Sequence, residues 1–129
     1  MIQVTAALIK NNGKFLIARR KSTPPNNGKW EFPGGKLEPE ETPEQCLARE
    51  LLEEFGTAAS VGGFVCSAQF VHNETVMELL AYEASLSSKI RFLAAHDKAL
   101  WMSVKDIAHL DLLEADVSIV NFLLEKELP

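Results

Sequence analysis

From Gly34 to Thr57 the chain reads GGKLEPEETPEQCLARELLEEFGT, and this stretch decides both the fold and the chemistry. Thr42 can cap a helix, Pro43 suits its first position, and Gln45 sits where a capping box needs it. Gly56 fits the residue just past the last turn. Ala48, Leu51, Leu52 and Phe55 form an apolar face predicted to pack on a core. Glu50, Glu53 and Glu54 stand at i, i+3 and i+4, within an arc of about 100° on the opposite side. Like charges that close repel one another. A hard cation such as Mg²⁺, which takes oxygen ligands, turns that repulsion into a binding site.

The flanking sequence supplies a sheet. Residues 2–10 are β-branched and apolar, Asn11-Asn12-Gly13-Lys14 reads as a turn, and Phe15 to Arg19 resumes, which predicts a hairpin. Ser22 to Lys29 is a loop by composition, and Trp30-Glu31-Phe32 is a short extended piece stopped by Pro33-Gly34-Gly35. Two longer strands are expected from Val61 to Val71 and from Val76 to Ser85, joined at His72-Asn73-Glu74. A short strand is expected from Leu100 to Val104. A final helix is expected from Asp116 to Leu128, with Val117, Ile119, Val120, Leu123 and Leu124 as its apolar stripe. Strands and separated helices in this order predict an α/β fold, a mixed sheet with a helix on each face.

Composition narrows the function. A chain of 129 residues with 47% apolar content suits one packed domain, spanning residues 1–129. A net charge of −5 argues against gripping a nucleic-acid polymer by bulk charge. An anionic small molecule stays admissible, because a metal inverts the local field. The acidic excess concentrates between Glu31 and Glu54. The two cysteines, Cys46 and Cys66, are too few for a disulfide framework and are expected to be buried and reduced. MIQVTAALIK carries no secretory n-region, and no apolar run reaches membrane-spanning length. A soluble cytoplasmic protein, monomer or homodimer, is the expectation.

Spacing then makes a family resemblance specific. Gly35, Glu41, Arg49, Glu50, Leu51, Glu53, Glu54 and Gly56 match the Nudix box, G-x5-E-x7-R-E-U-x-E-E-x-G-U, where U is a bulky aliphatic residue. Thr57 departs from the final U, which is expected to weaken local packing rather than chemistry. FLIARR, the WEFPGGK segment, Trp101-Met102-Ser103 and Ala115-Asp116 resemble the MutT-like members of that family. The resemblance implies a Nudix fold and a nucleoside triphosphate pyrophosphohydrolase, using Mg²⁺ or Mn²⁺ to yield the monophosphate and pyrophosphate. It also implies a sanitising role on oxidised or modified nucleotides, with the choice between 8-oxo-dGTP and CTP-like pyrimidines left open.

Carried over by position, the carbonyl of Gly34 with Glu50, Glu53 and Glu54 would ligate the metals. Glu53 or Glu50 would be the base, the resemblance favouring Glu50. Arg49 would orient these groups by holding Glu41 or a box carboxylate in its planar fork. Arg20 matches a phosphate contact, and Lys36 is a second candidate for that role. Phe32 and Asp116 match base contacts, against core packing for the first and a helix N-cap for the second. An ionised Asp116 would accept from an exocyclic amine such as that of cytosine, whereas a protonated one would imitate Asn and read an oxidised purine. Relatives often carry Glu where Ala95 stands, so one metal site is expected to lack an anionic ligand unless Asp97 substitutes. His96 reads as a loop or packing residue. A nucleotide-sugar hydrolase and a catalytically silent nucleotide-binding module are the competing readings.

Overall fold

The computed structural model describes every residue except 22, 23, 25–27, 128 and 129. The expected loop from Ser22 to Lys29 and the expected helix end at Leu128 therefore fall partly outside the described residues. Strand β1 (Ile2–Asn11) turns at Asn12 and Gly13 into β2 (Lys14–Arg20). Both turn residues have positive φ, 52° and 77°. A two-residue hairpin with the twist of a right-handed sheet requires that geometry. A second hairpin joins β4 (Ala59–His72) to β5 (Thr75–Leu86). Asn73 and Glu74 adopt the same positive-φ turn.

These hairpins assemble a mixed sheet. β1 runs parallel to β5, from Ile2 opposite Met77 to Ile9 opposite Ala84, and antiparallel to β2. β2 also pairs with the two-residue β3 (Trp30–Glu31) and with β6 (His96–Met102). Side chains on successive strand residues point to opposite faces, and both faces are covered. Ala6, Leu8, Phe15 and Ile17 enter a core with α2 (Val104–Ile107) and α3 (Glu114–Glu127). Ala7, Ile9, Leu16 and Ala18 enter a second core with α1 (Pro43–Phe55). Burial on both faces explains why β1 and β2 read as continuous apolar runs rather than alternating ones.

The expected α/β sandwich is present, with several boundaries moved. β6 begins at His96 rather than Leu100, and Val104 opens α2 instead of ending a strand. Ser103 Oγ accepts from the backbone N–H of Asp106 and caps that short helix. α3 starts two residues before Asp116, so Asp116 lies inside its first turn and is not its N-cap. Val117, assigned to the apolar stripe, is exposed. Cys46 is buried, Cys66 is half-buried, and both are free thiols. No helix among the described residues is long and apolar enough to cross a membrane.

Candidate active site

The capping signals of α1 act as read. Thr42 Oγ1 accepts from the Gln45 N–H at 3.1 Å, and Gln45 Oε1 accepts from the Thr42 N–H at 3.0 Å. Gly56 closes the helix in the left-handed region at φ 70°. The apolar face is rotated from its expected place. Cys46, Leu47, Leu51 and Phe55 are buried, Leu52 is 54% exposed, and Glu54 is only 5% exposed. Glu54 therefore leans into the sheet instead of sharing a solvated face with Glu53.

Two glycines make that approach possible. Pro33, Gly34 and Gly35 lie along β1, where the N–H groups of Ala7 and Thr5 donate to the carbonyls of Pro33 and Gly35, each at 2.7 Å. A Cβ on Gly34 would collide with the carbonyl of Thr5, and one on Gly35 would fall on the Glu50 carboxylate. Among the described residues, no donor takes the Gly34 carbonyl. The glycine pair thus lets helix and strand meet with carboxylates between them.

Arg49 organises the rim. Its Nε and Nη2 donate to the two oxygens of Glu41 at 2.7 and 2.9 Å, a bidentate fork. Its Nη1 donates to Glu50 Oε1 at 2.8 Å and to Glu53 Oε2 at 3.3 Å, and Nη2 reaches the carbonyl of Lys36 at 3.2 Å. The guanidinium holds the Glu41 carboxyl down at about 2, with help from the Glu38 N–H. Glu41 above all, with Glu50 and Glu38, pushes the Arg49 pKa up. One residue therefore contacts three of the box carboxylates.

A cleft of about 640 Å³ collects most of the remaining candidates. Arg20, Phe32, Gly34, Gly35, Lys36, Glu50, Glu54 and Asp116 all line it, together with Glu31 and Ala95. Glu53 does not; it stands on the rim, 58% exposed by its side chain. A larger surface cavity of about 740 Å³, near Phe64 and Lys126, contains none of these residues. Chemistry rather than size therefore identifies the site.

The electrostatics inside the cleft are unusual. Burial pushes Glu54 well above the ordinary carboxylate range, and the charges of Glu31 and Glu50 push the same way. Its Oε1 has no hydrogen-bond partner among the described residues. A carboxylate in that position suits a cation, since a buried charge is tolerated when paired. The Gly34 carbonyl, Glu50, Glu53 and Glu54 form an all-oxygen donor set that could hold Mg²⁺ or Mn²⁺. Among the described residues, no three acidic, His or Cys side chains already converge on one point. Glu50 and Glu53 are both held by Arg49.

On the other wall, the Phe32 N–H donates to Asp116 Oδ1 at 2.8 Å. The Phe32 ring packs edge-on against Phe15 in the core, leaving its backbone as the group that faces Asp116. Asp116 is 5% exposed, and burial pushes its carboxyl up to about 8, against the pull of the Phe32 N–H. Backbone bonds between Trp30 and residues Asp111 and Leu113 hold the start of α3 at this place.

Sequence reasoning left Asp97 open and undervalued two residues. Arg19 binds Asp97 at 2.8 and 3.2 Å on the exposed side, so Asp97 does not replace the missing Glu at Ala95. His96 is buried and stacked on Phe55, yet its Nε2 meets Glu31 Oε2 at 2.8 Å. Glu31 also receives Arg20 Nη1 at 3.2 Å. Alternation along Trp30-Glu31-Phe32 was the available signal, since it sends Glu31 opposite to Trp30 and Phe32. Thr57 is buried, and its Oγ1 bonds Ser88 Oγ at 2.7 Å and accepts from the Ser88 N–H at 3.2 Å. The departure from an aliphatic therefore exchanges packing for hydrogen bonds.

Known proteins share this architecture. A model of the NUDIX domain matches residues 1–122. The chain is similar to a CTP pyrophosphohydrolase of Escherichia coli (strain K12), 36% identical over 121 residues, covering 94% of this chain and 90% of that one. It is also similar to an 8-oxo-dGTP diphosphatase of Proteus vulgaris, 53% identical over 57 residues, covering 43% of this chain and 50% of that one. The crystal structure of the MutT protein from Methanosarcina mazei Go1 superposes with a TM-score of 0.85 at 27% identity, covering 98% of this chain and 96% of that one. With the box geometry assembled and the domain model matched over nearly the whole chain, the chain belongs to the Nudix hydrolase family.

Proposed function

We propose that this protein hydrolyses nucleoside triphosphates to the monophosphate and pyrophosphate with Mg²⁺, Mn²⁺ being able to replace it. Its substrates are oxidised or otherwise modified nucleotides. The observation that carries the reading is the pairing of a buried Glu54, whose Oε1 has no partner among the described residues, with the Arg49-held Glu50 and Glu53 beside one cleft. A divalent cation held by the Gly34 carbonyl, Glu50, Glu53 and Glu54 would offset phosphate charge and acidify the attacking water.

The residues of the chain do the rest. Glu50 or Glu53 takes the proton as water oxygen attacks one phosphorus of the α–β bridge in line and the bridging P–O bond breaks, its electron pair leaving with the other product, monophosphate or pyrophosphate. Arg49 fixes both carboxylates for that step, and Arg20, half-exposed at the cleft, binds phosphate oxygens. Glu50 is already within the cleft, which supports it as the base. Phe32 and Asp116 hold the base. With its carboxyl pushed up to about 8, Asp116 keeps its proton at neutral pH. It then accepts from the Phe32 N–H through one oxygen and donates through the other. A donor there suits an oxidised purine better than the exocyclic amine of cytosine. Similarity to both a CTP pyrophosphohydrolase and an 8-oxo-dGTP diphosphatase supports the triphosphate class.

Pyrophosphate release should be measured across ordinary, oxidised and methylated nucleotides with Mg²⁺. Preference for an oxidised purine triphosphate is expected. A preference for CTP would overturn the reading of Asp116, and release of a sugar phosphate from nucleotide sugars would overturn the triphosphate class.

A further inference from the structure

A chain of polar contacts runs from the mouth of the cleft into its wall. Arg20 Nη1 reaches both oxygens of Glu31, at 3.2 and 3.3 Å, and Glu31 Oε2 meets His96 Nε2 at 2.8 Å. A carboxylate only accepts, so Nε2 carries the ring hydrogen and donates it to Glu31. The opposite ring nitrogen, Nδ1, then faces Glu54 Oε1 across 4.0 Å. Both atoms are buried, and neither has a hydrogen-bond partner among the described residues. The ring has little freedom to move. It is 1% exposed and stacks on Phe55 at 5.9 Å and 14°. Phe55 follows Glu54 in α1, so the imidazole is clamped to the helical turn whose carboxylate it faces.

That arrangement has a directional effect. At 4.0 Å the stacked ring lies beside Glu54 Oε1 without bonding it, a rigid wall behind that side chain. Its Oε1 is left without a hydrogen-bond partner among the described residues, on a residue that lines the cleft. Partners one shell behind a ligand set its orientation in this way. Glu31 is shared, since it also holds Arg20 at the phosphate end.

We propose that Glu31 and His96 are positioning residues: they place Glu54 as a cation ligand, and Glu31 ties that placement to Arg20. This rests on the reading of Glu54 as a cation ligand. The structure assigns neither residue to the reacting atoms.

Mn²⁺ binding followed by electron paramagnetic resonance, without nucleotide, tests the proposal on wild type, Glu31→Gln, Glu31→Asp, His96→Phe and Glu54→Gln. Thermal melts verify that each variant is folded. Glu31→Asp keeps the charge but withdraws the carboxylate from His96, and His96→Phe keeps the stack on Phe55 but removes both nitrogens. Each of these, and Glu31→Gln, should weaken Mn²⁺ binding about tenfold. KM for the triphosphate should rise in the two Glu31 variants, where Arg20 loses its anchor, and stay near wild type in His96→Phe. If Glu31→Gln weakens binding while Glu31→Asp matches wild type, distant charge explains the effect and positioning is overturned. Unchanged Mn²⁺ binding in folded His96→Phe also overturns it. If Glu54→Gln itself binds Mn²⁺ like wild type, the ligand reading fails, and the inference fails with it.

Discussion

Replacing Asp116 by Asn should flatten the pH dependence of stability. Asp116 is 5% exposed, and its carboxyl is raised from 3.8 to about 8, burial being the main cause. The unfolded chain ionises this group near 3.8, whereas the folded chain keeps the proton until about 8. Between those values the folded state binds more protons. Its stability is therefore fully present below the unfolded pKa and is lost as pH rises through the folded one. The slope is at most about 1.4 kcal/mol per pH unit, and the whole window is worth on the order of 5 kcal/mol as an upper bound. Asn keeps an oxygen for the Phe32 N–H, now 2.8 Å from Oδ1, and carries no charge. Urea unfolding of both proteins at about pH 5 and about pH 8 isolates the effect, because other titrating groups cancel in the difference. The variant should gain on wild type by roughly 2–4 kcal/mol between those conditions. A difference that stays constant, or a variant that loses ground as pH rises, would refute the reasoning.

Three further outcomes follow from particular contacts. Gly35→Ala places a Cβ on the Glu50 carboxylate. Turnover should fall by about 100-fold, a displacement of about 1 Å being enough, with circular dichroism unchanged; activity near wild type would contradict the close approach. Arg49→Lys removes the bidentate fork on Glu41 and the bonds to Glu50 and Glu53 but keeps the charge. Turnover should drop about 10–100-fold in steady-state assays. Thr57→Val restores the aliphatic of the box and removes the hydrogen bonds of Thr57 Oγ1 with Ser88. Chemical denaturation should show a loss of about 1 kcal/mol, against a gain if packing dominated.

How far the sequence reached depended on how local the determinants were. Thr42, Pro43, Gln45 and Gly56 lie within or beside one helix, and all four act as read. The fork of Arg49 on Glu41 spans eight residues and was one of the two alternatives expected of Arg49. The rotation of α1 was not, because burial of Cys46 and Leu47 against β1 and β2 decides which side faces inward. That rotation took Glu54 out of solvent and left Leu52 exposed. The bond from His96 to Glu31 joins residues 65 apart and exists only because β6 and β3 both border β2. Asp116 was read as a base contact with a helix cap as the competing role, and the cap fails because α3 has already begun at Glu114. Its partner, the Phe32 N–H, is 84 residues away. Local signals located the carboxylates, and tertiary contacts set their charge.

The central claim is that Glu50, Glu53 and Glu54 serve a cation-dependent cleavage of the triphosphate. Its most direct test is the amount of pyrophosphate formed per monophosphate, with Mg²⁺ and with chelator, in wild type, Glu50→Gln and Glu53→Gln. Equal amounts of the two products are predicted for wild type with Mg²⁺, with none under chelator. A loss of about 100-fold or more is predicted in at least one of the two variants. Undiminished release from both folded variants, or release that persists with the cation removed, would contradict the account.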